Sequence, residues 1–279
     1  MRRAFFYICL LVAILTNAAF CLDELRFYLR SEPKSFNPAL VADDASETIR
    51  YLTGGVLVRM NRESQKLEPE LAKAWTVSKD GRTITFTLRK GLRFSDGTPF
   101  SADDVKYTMD QLMDPALHSP TGDAFRSTTG RVLAAVSASD KIAFTFPAPV
   151  AGLDKLFDQV AIVPAHSPQK EMAVLGPYYV SDHKAGSYVE LRRNPNYWKR
   201  DASGRQLPYI DAVRLEIQSN RDIELLKFTR NDIHLINSMD ADSFDRLLRS
   251  APDKVRDAGP SLDSEQMWFN QVPGAPIPE

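Results

Sequence analysis

The sequence LEPELAKAWTVSKDGRTITFTLRKGLRFSDGTPFSADD, at residues 67–104, is the most informative part of this chain. Within it, TITFTL at residues 83–88 alternates polar and apolar side chains, which predicts a half-buried β-strand. The Asp-Gly pairs at residues 80–81 and 96–97 are typical of tight turns, because glycine readily adopts the positive φ angles found there. The stretch therefore predicts a β-hairpin followed by a second turn.

A helix is predicted directly after this second turn. Ser101 and Asp104 have the spacing of a capping box at a helix start. Pro115 stops the helix after about Met113, since proline disrupts a helix interior. The predicted buried face consists of Val105, Met109, Leu112 and Met113.

The flanking parts of the chain predict a mixed α/β arrangement. Strands are predicted at residues 25–29, 142–146, 178–180, 188–192, 213–217 and 233–236. Helices are predicted at residues 45–52, 222–229 and 241–249. The succession of strand, helix, strand and helix from residue 213 onward favours a βαβ unit with a parallel strand pair.

Composition excludes some classes of protein. The chain has 279 residues, of which 43% are hydrophobic and 25% charged, as in soluble globular proteins. Its net charge of -1 argues against a nucleic-acid partner, which usually requires a basic face. Both cysteines, Cys9 and Cys21, precede the predicted mature domain, so we expect neither a disulfide nor a catalytic thiol in it.

The N-terminus has the order of segments found in secretory signals. Arg2 and Arg3 precede an apolar run at residues 4–15 and then small residues. This order predicts a signal peptide at residues 1–21, cleaved between Ala18 and Leu22, and a periplasmic protein. The alternatives are a membrane anchor and lipid attachment at Cys21. The shortness of the apolar run disfavours an anchor, and Phe20 directly before Cys21 disfavours lipidation.

No catalytic motif is recognisable in the sequence. It contains no Gly-x-Ser-x-Gly elbow, no His-Glu-x-x-His helix and no phosphate loop. The four histidines, His118, His166, His183 and His234, are isolated. We therefore predict no catalytic residue, no metal and no cofactor. An exported hydrolase with a carboxylate-based site stays an alternative, because distant Asp and Glu residues can meet in space.

Several stretches together carry a family resemblance. They are PKSFNP at residues 33–38 and the longer segments at residues 67–104, 176–213 and 225–236. The chain resembles the family 5 extracellular solute-binding proteins, the oligopeptide-, dipeptide- and nickel-binding receptors of bacterial ABC importers. Most residues that carry the resemblance, such as Trp75 and the Asp-Gly turns, are interpreted as structural.

The resemblance implies a mixed α/β fold of the clamp type, like periplasmic binding protein type II. It implies a main α/β domain at residues 22–75 and 173–264, with an inserted β-rich domain at 76–172. Residues 265–279 would begin the crossing to a second lobe, which is expected to be missing because family chains are roughly twice as long. A non-functional truncated remnant is the corresponding alternative.

The implied function is solute capture for an ABC importer, without catalysis. The expected partners are a peptide or other small solute and an inner-membrane permease, with no nucleic acid, and the full-length protein is expected to be a monomer. The resemblance implies these ligand-binding residues: Val41, Ala42, Asp43, Asp44, Ser46, Phe125, Trp268 and Asn270. The two aspartates have an alternative role as helix caps, and Phe125 as a core residue.

Overall fold

The computed structural model describes residues 23–129, 132–138, 140–167, 173–236 and 239–255. The predicted signal peptide, the crossing segment at 265–279, Trp268 and Asn270 lie outside these residues. The chain divides into two units, Met1–Asn237 and Ser238–Glu279, which are described separately.

The first unit contains ten strands in its described residues. They are β1 (Glu24–Leu29), β2 (Val58–Met60), β3 (Leu67–Pro69), β4 (Ala72–Val77), β5 (Thr83–Leu88), β6 (Leu133–Ala138), β7 (Lys141–Thr145), β8 (Tyr178–Lys184), β9 (Tyr188–Arg193) and β10 (Ala212–Ile217). Its α-helices are α1 (Asp44–Thr53), α2 (Ala102–Met113), α3 (Pro120–Thr129) and α4 (Arg221–Thr229). Short 3-10 helices lie at Pro38–Leu40, Pro115–Leu117 and Leu153–Gln159.

One four-stranded sheet has the order β1-β10-β9-β8. β1 and β10 are parallel, with Phe27 opposite Leu215, and the other neighbours are antiparallel. Apolar residues on one face of the sheet pack against Ala45 and Ile49 of α1. Burial of this face fixes the strand register, because a shift by one residue would turn the apolar side chains outward.

The second four-stranded sheet has the order β4-β5-β7-β6 and is antiparallel throughout. Its core is strongly aromatic: the ring centroid of Phe157 lies 4.8 Å from that of Phe86, 5.4 Å from Phe125 and 5.2 Å from Phe144. α2 contributes buried residues to this core. The predicted capping box is confirmed, since the Asp104 carboxylate accepts a 2.7 Å hydrogen bond from the Ser101 N–H.

The predicted strand at residues 233–236 is wrong. These residues form bends and coil, although Ile233 is buried. Only His234 exchanges hydrogen bonds with β1: its N–H donates to the Arg26 carbonyl at 2.8 Å, and the Arg26 N–H donates to its Nδ1 at 2.9 Å. A side chain thus takes the place of a backbone acceptor, and no ladder forms. The parallel partner of β10 is instead β1, from the start of the chain.

The two large sheets come from different parts of the sequence. The first is built from β1 and from strands after residue 177, and the second from strands between residues 72 and 145. β4 crosses the predicted boundary between residues 75 and 76. The domain boundaries themselves stay a prediction.

The second unit contains α5 (Ala241–Ser250) and a 3-10 helix at Pro252–Lys254. Asp240 caps α5, because its carboxylate accepts a 2.8 Å hydrogen bond from the Ser243 N–H. This confirms the helix predicted at residues 241–249. Across all described residues, no helix combines the length and the apolarity needed to cross a membrane.

Candidate functional site

The loop predicted to line a ligand cleft connects the 3-10 helix at Pro38–Leu40 to α1. Asn37 caps the 3-10 helix, its side chain accepting a 3.0 Å hydrogen bond from the Ala39 N–H. The backbone is extended at Val41, with φ -69° and ψ 121°, and at Asp43, with φ -142° and ψ 157°. The two helices therefore hold a short extended segment between them.

The extended segment carries two backbone N–H groups, those of Val41 and Ala42. Neither group donates a hydrogen bond within the described part of the chain. Ala42 is exposed and Val41 is partly exposed. Because backbone N–H groups are strong donors that normally find a partner, water or a ligand must satisfy them.

The side chains at the start of α1 are, in contrast, bound to one another. Asp43 is the N-cap: its carboxylate accepts hydrogen bonds from the Ser46 N–H at 3.0 Å and from the Ser46 hydroxyl at 2.8 Å. Ser46 is only 1% exposed, and its Oγ also accepts a 3.1 Å bond from the Ser35 N–H. Burial opposes ionisation of Asp43, but the hydrogen bonds from Ser46 and Lys34 outweigh it and lower its pKa.

Asp44 is exposed in the first turn of α1, where a negative charge favours the helix dipole. Phe125 lies in the aromatic core of the second sheet and is 1% exposed. Its helix, α3, packs against the 3-10 helix at Pro38–Leu40. The structure thus brings together Val41, Ala42, Asp43, Asp44 and Ser46 in one loop, and it links Phe125 to that loop only through α3.

A small cavity of about 80 Å³ adjoins this loop. It lies between residues 37–39 and the side chains of α2 and α3, and none of its lining residues is charged. Tyr107, Gln111 and Gln159 supply polar groups to the lining. With about 30 Å³ of liquid volume per water molecule, the cavity has room for a small group and not for a whole solute.

Sequence reasoning missed the residues of this cavity. Gln159 belongs to the wall because Arg50 of α1 donates a 2.6 Å hydrogen bond to its carbonyl oxygen. That contact joins residues far apart in the sequence, and no local pattern indicates it. The helical periodicity of α2 marks its buried face but not which neighbouring residues line a cavity.

The residues interpreted as structural hold turns and packing contacts. The indole Nε1 of Trp75, which is only partly buried, donates a 3.1 Å hydrogen bond to the Asp154 carboxylate. Asp96 accepts a 2.9 Å bond from the Thr98 N–H across the second turn. Gly81 and Gly97 have φ angles of 67° and 88°, as tight turns require.

A sequence profile of the bacterial extracellular solute-binding proteins, family 5 Middle, matches residues 66–276. The chain belongs to this family. Its members are solute-binding proteins, and the family description places them outside the cytoplasm. The resemblance noted from the sequence is therefore confirmed.

Two curated relatives illustrate the range of this family. The chain is 26% identical over 272 residues to a probable ABC transporter-binding protein of Deinococcus radiodurans, covering 85% of this chain and 45% of the relative. It is 30% identical over 199 residues to a periplasmic alpha-galactoside-binding protein of Rhizobium meliloti, covering 61% and 29% respectively. This family 5 protein thus spans less than half the length of either relative.

A solved structure supports the fold. OppA of Haemophilus influenzae, in complex with RPPGFSPFR, superimposes with a TM-score of 0.72 at 19% identity, covering 82% of this chain and 49% of that chain. At this identity the likeness concerns the fold alone. It confirms the predicted mixed α/β fold of the periplasmic binding protein type II class.

Proposed function

We propose that this family 5 protein is the substrate-binding component of an ABC importer, capturing peptides or similar extended solutes in the periplasm. The observation that carries the proposal is the extended segment at residues 41–43, where the N–H groups of Val41 and Ala42 have no partner in the described part of the chain. A peptide that lies along this segment as an added strand would accept hydrogen bonds from both groups.

In this proposal the loop contributes main-chain atoms to the ligand, and Asp43 and Ser46 keep the loop in shape. Asp44, exposed beside the loop, would face a cationic group of the solute. Phe125 supports this loop through α3. Trp268 and Asn270 lie outside the described residues and stay predicted ligand-binding residues. A small side chain of the solute would enter the neighbouring cavity.

The proposal includes a permease of the inner membrane as partner and a monomeric full-length protein. Clamp-type receptors enclose a ligand between two lobes, and closure is favoured only when ligand contacts both. We therefore expect the 279 residues alone to bind weakly, because one wall offers fewer contacts while the translational and rotational cost of binding is still incurred in full.

Two proteins test this proposal: the 279-residue chain and a chimera that extends it with the C-terminal half of the Deinococcus radiodurans relative. Each is incubated with a peptide mixture, and bound and free pools are analysed by mass spectrometry. We expect the chimera to retain intact peptides and the shorter chain to retain few. Cleaved peptides would contradict a pure binding function.

The same experiment with sugars tests the ligand class. Selective retention of an alpha-galactoside instead of peptides would keep the importer function and overturn the peptide assignment. Equal affinity of the chimera and the shorter chain for one peptide would show that the first lobe carries a self-sufficient site.

A further inference from the structure

A second cavity, of about 200 Å³, lies at the C-terminal end of α1. Tyr51, Gly54, Arg59, Glu70, Tyr197 and Lys199 are among the residues that line it. With a helical rise of 1.5 Å per residue, Tyr51 lies about 12 Å along the axis from Asp43. The cavity is therefore separate from the loop proposed to bind the transported solute.

Arg59 brings a positive charge to this cavity without an acidic partner. Its guanidinium carbon lies 4.6 Å from the centroid of the Tyr51 ring, and its Nη2 donates a long, 3.4 Å hydrogen bond to the Gly54 carbonyl. It forms no ion pair with a carboxylate in the described part of the chain. Arg62, which does not line the cavity, lies over the same Tyr51 ring at 5.5 Å and adds a second positive charge beside it.

The acidic residue of the cavity is already neutralised. Glu70 is 7% exposed, and its carboxylate forms an ion pair with the ammonium group of Lys199. A further guanidinium, that of Arg89, stacks on the Trp198 ring at 4.4 Å. The local charge therefore stays positive, and several of the donors on Arg59 are left for another acceptor.

Tyr197 adds a neutral donor to the same cavity. Its hydroxyl has no hydrogen-bond partner among the residues that the structure describes. Burial raises the pKa of Tyr197, and the charge of Glu70 raises it further against the opposing effect of Arg59. The phenol consequently stays protonated at neutral pH and can donate.

We propose that this cavity is a binding site for a small oxyanion, a carboxylate or phosphate group, held by the Arg59 guanidinium and the Tyr197 hydroxyl. A planar guanidinium donates to two oxygens of such a group at once, and the bonds are strengthened by charge. The volume corresponds to about seven water molecules, which suits a small molecule. This site is independent of the solute site and does not require the importer function.

The test uses the 279-residue chain and two probes, inorganic phosphate and acetate, each titrated by calorimetry at constant ionic strength with chloride as the balancing anion. We expect saturable binding of at least one probe. The probe that binds more tightly distinguishes a phosphate site from a carboxylate site.

Three variants locate the binding. Arg59→Gln should weaken it about 10-fold or more, because bonds from a charged donor are lost, and Tyr197→Phe should weaken it by a smaller factor. Arg205→Gln is the matched control: Arg205 stacks on Tyr209 at 4.8 Å outside this cavity and should leave the affinity unchanged.

Saturation by neither anion would overturn the proposal. An equal loss of affinity in Arg59→Gln and Arg205→Gln would also overturn it, since binding would then follow overall charge. Circular dichroism establishes whether each variant is folded. If Arg59→Gln does not fold, the affinity of Tyr197→Phe for the anion provides the test.

Discussion

The two ends of helix α1 present opposite kinds of surface. At its N-terminal end, Asp43 and Ser46 bind each other, while the backbone N–H groups of Val41 and Ala42 stay without a partner in the described part of the chain. At its C-terminal end the backbone is closely packed, since the Gly54 N–H donates to the Arg50 carbonyl at 2.7 Å and the Gly176 N–H to the Thr53 carbonyl at 2.9 Å.

At the C-terminal end, the hydrogen-bond donors available to a ligand belong to side chains, those of Arg59 and Tyr197. This difference shows how one helix can support two kinds of recognition. Every peptide carries main-chain acceptors, so a surface of backbone donors accepts many sequences. A guanidinium beside a phenol selects for charge and shape. Each end can therefore be altered with little effect on the other.

The largest effect on stability is expected from Gly176→Ala, which disturbs the packed backbone at the C-terminal end of α1. A Cβ at this position would lie 2.3 Å from the Thr53 carbonyl oxygen and 2.4 Å from its carbon. Because backbone must move to admit it, we expect a loss of about 3 kcal/mol in the free energy of unfolding. Urea denaturation measures the loss, and a value below about 0.5 kcal/mol would contradict the close packing.

The next effect concerns the N-terminal end. In the chimera, Ala42→Pro removes one backbone N–H and should weaken peptide binding about 10-fold, by roughly 1.4 kcal/mol. The extended backbone of Val41, with ψ of 121°, suits a residue that precedes proline. Ala42→Ser keeps the N–H and serves as control. If calorimetry shows that Ala42→Ser loses as much peptide affinity as Ala42→Pro, the side chain and not the backbone makes the contact.

Asp43→Ala tests the side chains that shape the N-terminal end. Losing the cap should lower the free energy of unfolding by about 1 kcal/mol at pH 7. The native pKa of Asp43 is lowered, so its stabilisation is complete above about pH 4 and disappears as the pH falls through the native pKa. Thermal melts should therefore show that the difference in melting temperature between wild type and variant becomes smaller in acid.

Asp44→Ala is the control for this prediction, because Asp44 is exposed and makes only a helix-dipole contribution. We expect a smaller change than for Asp43→Ala at pH 7. A larger change for Asp44→Ala than for Asp43→Ala would mean that Asp44, and not Asp43, caps the helix.

The smallest effect is expected for Arg59→Gln on stability. Arg59 forms a stack and one long hydrogen bond, so the free energy of unfolding should change by less than about 0.5 kcal/mol. Loss of anion binding without loss of stability would sharpen the contrast between the two ends. A loss of several kcal/mol in denaturation would instead make Arg59 a structural residue.

The sequence by itself determined the local features of this protein. The alternation at residues 83–88 and the capping box of Ser101 and Asp104 each depend on neighbouring residues, and both are found in the structure. The family could also be recognised from the sequence, because its turns and aromatic residues keep their order and spacing.

Only the tertiary structure decided the long-range pairings. Residues 233–236 have a strand-like pattern, yet of these only His234 bonds to β1, and its side-chain Nδ1 accepts where a backbone carbonyl would, so no ladder forms. The charged cavity is likewise assembled from Arg59, Glu70, Tyr197 and Lys199, which lie in separate parts of the sequence. Local propensity acts over a few residues, whereas such a site depends on how whole elements pack, so no motif in the sequence could have indicated it.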